Sequence, residues 1–392
     1  MDIAALTQGQ EKYLLSLRRE FHMYPELSMK ETRTAARIRE ELEQMGIPAV
    51  AIGETGTVGI LQFPRPGKRL ALRADIDALP MFEEIDWEYR SRQDGIMHAC
   101  GHDAHTAVLL AAAKCLTALR EELSGTVYFC FEPGEETAGG GAAAIVDYLR
   151  SVGGVDEIIA NHMAADQPAG VGIVREGTLN AGNCHWRITV NGRGGHGSRP
   201  DQAVDPISIA ARIIERILQI PVNHHDPLEP LVISPCMIHG GSAFNIIPDQ
   251  CVIEGNMRYF RREDLKDVLG QMERVAQGLA RIEGADAQVE QISAGPPVVN
   301  DPAVASRCRA VMEQMGIPIL VPERPIMASD DFAVFLEAFP GCYVNFGGRS
   351  DRENISHNPH NSRFFLNETS FLPIVEFFTR YAAEQLRYGK ED

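Results

Sequence analysis

Helix-like and strand-like patterns alternate along the first 180 residues, and this alternation limits the fold more than any other feature of the sequence. Residues 31–46 have apolar positions at helical spacing, whereas 57–63 and 69–75 are short runs of strand-forming residues. A buried helix is predicted over 105–123, followed by the strand "TVYFCFEP". Such alternation is typical of an α/β domain in which helices cover a sheet. Polar residues that follow the strands are expected at the edge where open sheets bind ligands.

The pattern changes near residue 181. A strand, a helix at 205–219, two strands, a helix at 262–283 and a final strand follow in the order of a ferredoxin-like two-layer unit. The segment "GPPVVND" reads as a linker that returns the chain to the first domain. We therefore predict a mixed-sheet α/β catalytic domain made of 1–180 and 297–392, with an inserted ferredoxin-like α+β domain at 181–296.

Composition indicates which kinds of partner and which cellular compartment the sequence favours. Hydrophobic residues make up 44% and charged residues 23%, as in soluble globular proteins. The net charge of −17, with no basic run, argues against nucleic acid or an anionic membrane as the main partner. The N-terminal segment does not read as a signal peptide, and no apolar stretch reaches about 18 residues. Eight scattered cysteines indicate a reducing compartment, so we predict a cytoplasmic protein.

The segment "MHACGHDAHTA" holds three histidines, a cysteine and an aspartate. Cys100 and His102 are two positions apart, so on a turning backbone both side chains can reach one cation. Thiolate and imidazole suit zinc, cobalt or nickel. The alternative is a reduced core cysteine beside histidines that cap the following helix.

A second polar cluster, "FEPGEETAGGG", follows a predicted strand. Its adjacent carboxylates Glu135 and Glu136, with Glu132 nearby, repel one another unless a cation or a proton offsets them. A hydrolytic metal site needs one carboxylate as ligand and another to deprotonate water. A solvated acidic turn is the simpler alternative.

Further histidines lie at other predicted loops and strand ends. His162 ends the strand "IIANH", and His357 and His360 lie in the polar loop "SHNPHNSRFF". Taken singly, each is equally explained as a core or solvated histidine. Together with the thiol and the carboxylates, they exceed what one structural zinc needs and favour a two-metal hydrolytic centre.

These segments carry a family resemblance. "LRADIDALP", "MHACGHDAHTA", "EPGEETAGGGA", "NGRGGHGSRPDQAVDP", "GGSAFNIIPD" and "HNPHNSRFF" follow one another across almost the whole chain. In this order they resemble the M20 metallopeptidase family, and within it the branch of aminoacylases, hippurate hydrolases and auxin-conjugate amidohydrolases.

The resemblance implies a centre with two divalent ions, of zinc, manganese, cobalt or nickel, and Glu135 as general base. The implied metal ligands are Cys100, His102, Glu136, His162 and His360. Many members of the wider family have a metal-binding histidine where this chain has Arg73, which cannot ligate a metal. The nearby Asp75 is therefore expected to orient a ligand histidine.

The resemblance also assigns roles to the inserted domain, as a lid and a dimerisation domain. His196, in "GRGGHGSRP", is expected to donate to the oxyanion of the reaction, in its own subunit or in the partner of a homodimer. Asn245 and Arg258 match positions that contact the substrate carboxylate in relatives. A solvated hairpin histidine and an exposed strand arginine are the alternatives.

The sequence thus predicts a metal-dependent amidohydrolase that acts on small N-acyl amino acids or related N-acyl conjugates. A dipeptidase or carboxypeptidase with the same centre is the near alternative. A non-catalytic binding protein on this fold, or a structural zinc protein, is the alternative from another class.

Overall fold

The computed structural model describes residues 2–387, and the chain forms two compact units. The first contains the chain up to Leu179, Val299–Arg324 and the chain from Asp331 onward. The second contains Asn180–Val298 and Pro325–Asp330. The sequence placed all of 297–392 in the first domain. Pro325–Asp330 belongs instead with the second unit. There the carbonyls of Ile326 and Ala328 accept hydrogen bonds from the backbone N–H of Ala181.

Helices and strands are numbered in chain order. The helices are α1 (Ile3–Gln8), α2 (Glu11–Met23), α3 (Thr32–Gln44), α4 (His102–Ala118), α5 (Ala142–Ser151), α6 (Pro206–Ile217), α7 (Ile220–Asn223), α8 (Arg262–Ile282), α9 (Pro302–Gln314), α10 (Phe332–Ala338) and α11 (Phe371–Gln385). The strands are β1 (Ala49–Ile52), β2 (Gly56–Gln62), β3 (Arg65–Asp75), β4 (Ser124–Glu132), β5 (Glu157–Pro168), β6 (Gly172–Ile173), β7 (Gly177–Asn180), β8 (Gly182–Asn191), β9 (Gly195–His196), β10 (Val232–Gly240), β11 (Ile246–Ile247), β12 (Gln250–Tyr259), β13 (Asp286–Gly295), β14 (Val298–Asn300), β15 (Ile319–Leu320) and β16 (Gly341–Arg349). Among residues 2–387, no helix has the length and apolar character needed to cross a membrane.

An eight-stranded mixed sheet forms the first unit, in the order β1-β2-β4-β3-β5-β16-β6-β15. Strands β4, β3, β5 and β16 run parallel to one another at its centre, and Asp75 lies opposite Glu132 where β3 and β4 end. Helix α4 packs against this sheet and is buried on nearly every side, as its apolar sequence predicts. The predicted α/β fold with a mixed sheet is confirmed.

The second unit has the strand-helix-strand-strand-helix-strand order of a ferredoxin-like layer pair. Its antiparallel sheet has the order β10-β12-β8-β13, and Asn183 of β8 lies opposite Gly295 of β13. Alternate residues of β8 are buried, which places Trp186 and Ile188 in a core shared with α6 and α8. Strand β10 is left at an edge of the sheet, where Met237 and Ile238 are exposed.

Candidate metal centre

The loop before α4 gathers the first group of donor atoms. Gly101 caps α4 with φ of +102°, and a Cβ there would lie 2.9 Å from Leu366. This left-handed turn lets Cys100 and His102 project to one side, where both meet His162 of β5. The donor atoms of these three residues all lie within 4.8 Å of one another, with Sγ of Cys100 3.3 Å from Nε2 of His162.

A second group brings in the remaining predicted ligands. Donor atoms of Cys100, Glu136 and His360 again lie within 4.8 Å of one another, with Nε2 of His360 3.0 Å from Oε1 of Glu136. The backbone N–H of His360 donates to the carbonyl of Ala99, which fixes its loop beside the cysteine. His357 is engaged elsewhere, because its Nε2 lies 2.8 Å from the carbonyl of Ser350. The structure therefore brings together all the residues predicted as ligands and leaves His357 outside.

The chemistry of this donor set fits a divalent cation. Nδ1 of His102 donates to the carbonyl and to Oδ1 of Asp77, at 3.0 and 3.1 Å, which leaves Nε2 as the ring nitrogen that can face a cation. That buried Nε2 has no hydrogen-bond partner within residues 2–387. Burial raises the pKa of the Cys100 thiol, so a thiolate there requires a cation beside it. Thiolate, imidazole and carboxylate groups at these distances are suitable metal ligands.

Glu135 lies beside the predicted ligands on the turn after β4. An oxygen of its carboxylate and donor atoms of His102 and Glu136 all lie within 4.8 Å of one another, and Glu135 is partly exposed. The turn is held from both sides, because the N–H of Gly134 donates to Glu31 and that of Glu136 donates to Asp77, at 2.9 and 3.0 Å. A carboxylate held next to cation ligands in this way is placed to accept a proton from water.

Asp75 lies in a buried layer beneath the donor atoms. Its carboxylate accepts from Arg73 and from Nδ1 of His105, each at 2.6 Å, and lies 3.8 Å from Nε2 of His102. Burial alone would raise the pKa of this carboxyl, but His102, His105 and Arg73 together hold it well below its usual range. Asp77 accepts the hydrogen bonds that orient His102, whereas Asp75 accepts from His105.

Two residues of this layer, Asp77 and His105, were not singled out by the sequence, and Arg73 was named only as a residue that cannot bind a metal. Asp77 orients His102, and His105 accepts from the backbone N–H of Met163, the neighbour of His162, at 3.1 Å. Fully buried Arg73 donates to Glu132, Asp75 and Asp331. The sequence does contain a signal that could have pointed to this layer, namely an arginine and two aspartates within "LRADID". Charged side chains at the end of a buried strand need partners.

The second unit places its predicted site residues at two positions. His196 of β9 is exposed and accepts from the hydroxyl of Ser198 at 2.8 Å, and its ladder partner Ile246 directly follows Asn245. Arg258 of β12 is half-buried and donates to the hydroxyl of Ser329 at 2.8 Å. Burial lowers the pKa of this guanidinium.

The comparison with known families decides the identity of the chain. A model of the peptidase family M20/M25/M40 matches residues 71–384. The chain belongs to this family. As a member of M20/M25/M40 it is a hydrolase, which confirms the predicted family and class of enzyme.

The matches to similar proteins cover nearly the whole length of this M20-family chain. It is 35% identical to "Thermostable carboxypeptidase 1" of Saccharolobus solfataricus, over 91% of each chain. It is 36% identical to "IAA-amino acid hydrolase ILR1-like 4" of Arabidopsis thaliana, over 95% of this chain and 86% of that one. Among solved structures, the Bacillus subtilis YXEP protein, described as a dinuclear metal binding peptidase from the M20 family, has a TM-score of 0.84 and 32% identity, over 97% and 99% of the two chains.

Proposed function

We propose that this enzyme hydrolyses the amide bond of N-acyl amino acids or related N-acyl conjugates. The observation that carries the proposal is the convergence of Cys100, His102, Glu136, His162 and His360 beside the carboxylate of Glu135. These residues would hold two divalent ions, and their mixed donor set suits zinc, manganese, cobalt or nickel. The dinuclear metal binding peptidase of Bacillus subtilis and the IAA-amino acid hydrolase of Arabidopsis support the proposal.

The reaction uses the chain's residues in distinct roles. When bound, divalent ions supply the Lewis acidity that polarises a carbonyl and lowers the pKa of an attacking water. Glu135 accepts the proton of that water and returns it to the leaving nitrogen, because an amine anion is a poor leaving group. His196 donates a hydrogen bond to the oxyanion of the tetrahedral intermediate.

Arg258 and Asn245 are proposed to recognise the carboxylate of the amino-acid half. A guanidinium can bind a carboxylate through two parallel hydrogen bonds, and Arg258 donates to the neutral hydroxyl of Ser329 and is partly desolvated. The amide side chain of Asn245 is exposed and adds a donor. This assignment predicts that N-acyl amino acids are better substrates than simple amides, which lack the carboxylate.

We further propose a homodimer formed through the inserted unit. The edge strand β10 offers unpaired backbone groups together with exposed Met237 and Ile238, a surface that a second copy can cover. In such a dimer His196 serves the partner's metal centre. Mixing His196→Ala and Glu135→Gln subunits tests this arrangement, because only a contribution in trans restores activity in mixed dimers.

A substrate panel tests the proposed reaction. Protein reconstituted with each of the four metals is assayed on N-acetyl and N-benzoyl amino acids, on dipeptides, and on matched amides that lack the carboxylate. Preference for the N-acyl amino acids is expected, and Arg258→Ala should reduce the advantage over the carboxylate-free amides by about 10–100-fold. Faster cleavage of peptides would favour the alternative, a peptidase, which the Saccharolobus carboxypeptidase supports.

The proposal includes a cytoplasmic location. Its support is that all eight cysteines carry free thiols, as expected in a reducing compartment.

A further inference from the structure

Met29 lies in the loop between α2 and α3 and has a left-handed backbone, with φ of +62°. Within residues 2–387, the residues other than glycine that have a positive φ are Met29, Asn354 and His360. Asparagine tolerates this conformation and His360 is a proposed metal ligand, whereas a bulky side chain such as methionine adopts it rarely and at a cost. Residues held in such a conformation cluster at active sites and ligand-binding sites, so the backbone of Met29 points to a functional role.

The loop is held by groups that also anchor the turn after β4. The backbone N–H of Met29 donates to Oε1 of Glu31 at 2.8 Å, and the same oxygen accepts from the N–H of Gly134. The hydroxyl of Ser28 donates at 2.7 Å to Oδ2 of Asp77, an oxygen that also accepts from a backbone N–H of the turn. The loop and the turn are therefore tied together at two points, which offsets the cost of the left-handed residue.

The side chain of Met29 covers the turn at Gly134. A Cβ added to Gly134 would lie 2.7 Å from Sδ and 3.1 Å from Cγ of Met29, so the thioether occupies the space that a side chain at position 134 would need. The next residue of the turn is Glu135, the proposed base. Met29 is nevertheless 41% exposed, so part of its apolar surface stays open next to this turn.

We propose that Met29 is a specificity-determining residue, whose thioether packs against the acyl group of the substrate. This inference rests on the proposed function and names the preferred substrates as N-acyl amino acids with a flexible apolar acyl chain longer than acetyl. Arg258 and Asn245 are assigned to the carboxylate of the amino-acid half, so the acyl half requires an apolar surface of its own. Methionine suits this role, because its unbranched side chain adapts to different shapes and a longer chain buries more apolar surface against it.

A series of N-acyl derivatives of one amino acid, from acetyl to hexanoyl, tests the inference on Met29→Ala. We expect KM for the hexanoyl substrate to rise by about 10-fold with kcat within about twofold, because the acyl chain is held equally in the ground state and in the transition state. KM for the acetyl substrate should stay within about twofold. Leu320→Ala is the matched control, since Leu320 of β15 is 42% exposed and loses an equally large part of its side chain, and it should leave the series unchanged.

Two further variants separate apolar contact from size. Met29→Leu should keep the wild-type preference, whereas Met29→Gln, which has nearly the same length but is polar, should behave like Met29→Ala. Calorimetric titration of the acetyl and hexanoyl compounds into Glu135→Gln protein, with and without Met29→Ala, measures the same difference as binding without turnover. There the hexanoyl compound should lose about 10-fold in affinity and the acetyl compound less than about twofold.

An unchanged dependence of KM on chain length in Met29→Ala would overturn the inference. An equal fall in kcat for every member of the series would also overturn it, because Met29 would then only support the turn that bears Glu135. Failure of the proposed function gives a different result, since wild-type protein would then hydrolyse no member of the series, and the inference would fail with it.

Discussion

Nε2 of His360 lies 3.0 Å from Oε1 of Glu136, so a loop near the C-terminal end of the chain reaches the turn that follows β4. The loop is held there by two backbone hydrogen bonds, from the N–H of His360 to Ala99 and from the N–H of Glu84 to Ser362. The candidate centre is therefore complete only when this loop is docked on the rest of the first unit.

Replacement of His360 by alanine should weaken metal binding. It removes an imidazole proposed as a metal ligand, and we expect metal affinity and kcat to fall by at least about 100-fold. His357→Ala is the matched control, since that ring contacts Ser350, and it should retain metal within a fewfold of wild type. Calorimetric titration of the apo proteins measures the metal affinity of both variants. Stronger metal loss in His357→Ala would reverse the assignment of the two histidines.

Glu135→Gln and Glu136→Gln should separate the base from the ligand. Loss of the base at position 135 is expected to lower kcat by about 10²–10⁴-fold with metal content kept. Loss of the ligand at position 136 should lower metal content as well, because its carboxylate groups with Cys100 and His360. Elemental analysis beside steady-state kinetics gives the comparison. Normal turnover by Glu135→Gln would exclude it as the base.

Arg73→Met should destabilise the fold strongly. The guanidinium is fully buried and donates to Asp75 and Glu132, whose carboxylates are also fully buried. Removing it takes a buried cation away from both carboxylates, at a cost of about 3–5 kcal/mol in the free energy of unfolding. Arg309→Ala removes the exposed pair with Glu176 and should cost less than about 1 kcal/mol. Urea unfolding of the metal-free proteins would refute this if the two variants were equally stable.

His22 should stabilise the protein more at acid pH than at alkaline pH. Its ring lies between Asp103 and Glu83, at 2.7 and 3.2 Å, with Arg18 nearby. Burial lowers its pKa, but the interaction with Asp103 and the hydrogen bonds outweigh this, so the pKa is raised. The folded state then binds the proton more tightly than the unfolded state.

The sign follows from this difference in proton affinity. The stabilisation is complete below the unfolded pKa of about 6.5 and is lost as the pH rises through the folded value above it. His22→Gln should therefore cost about 1–3 kcal/mol near pH 5.5 and progressively less toward pH 9. Denaturant unfolding of both proteins across this range measures the difference. A difference that does not change with pH would contradict the expected protonation.

Most of the fold followed from local patterns. The helical period over 31–46 predicts α3 within a few residues of its observed ends, and the strand predicted after the change of pattern near residue 181 is observed as β8. The start of α4 was predicted at 105, three residues after the observed start at His102, because Gly101 supplies a left-handed cap that the apolar pattern does not reveal. The two-residue strands β6 and β15 are too short to show a period.

The candidate site was predictable only in part, for a physical reason. Candidate ligand residues can be recognised within a short stretch of sequence, as the thiol of Cys100 and the adjacent carboxylates after β4 were. Residues that orient a ligand are ordinary acids and histidines whose partners are distant in sequence. Asp77 lies 25 positions from His102, and Asp75 lies 30 positions from His105, so neither contact was visible before the chain was folded.

Asn183 and Gly295 face each other on adjacent strands, so the two ends of the ferredoxin-like layer pair emerge side by side. A stretch of chain with neighbouring ends can be removed and replaced by another through two closely spaced joints. Swapping this module between homologues, together with the matching piece Pro325–Asp330, would transplant Arg258 and Asn245 as a set while the side chains proposed as metal ligands stay with the host.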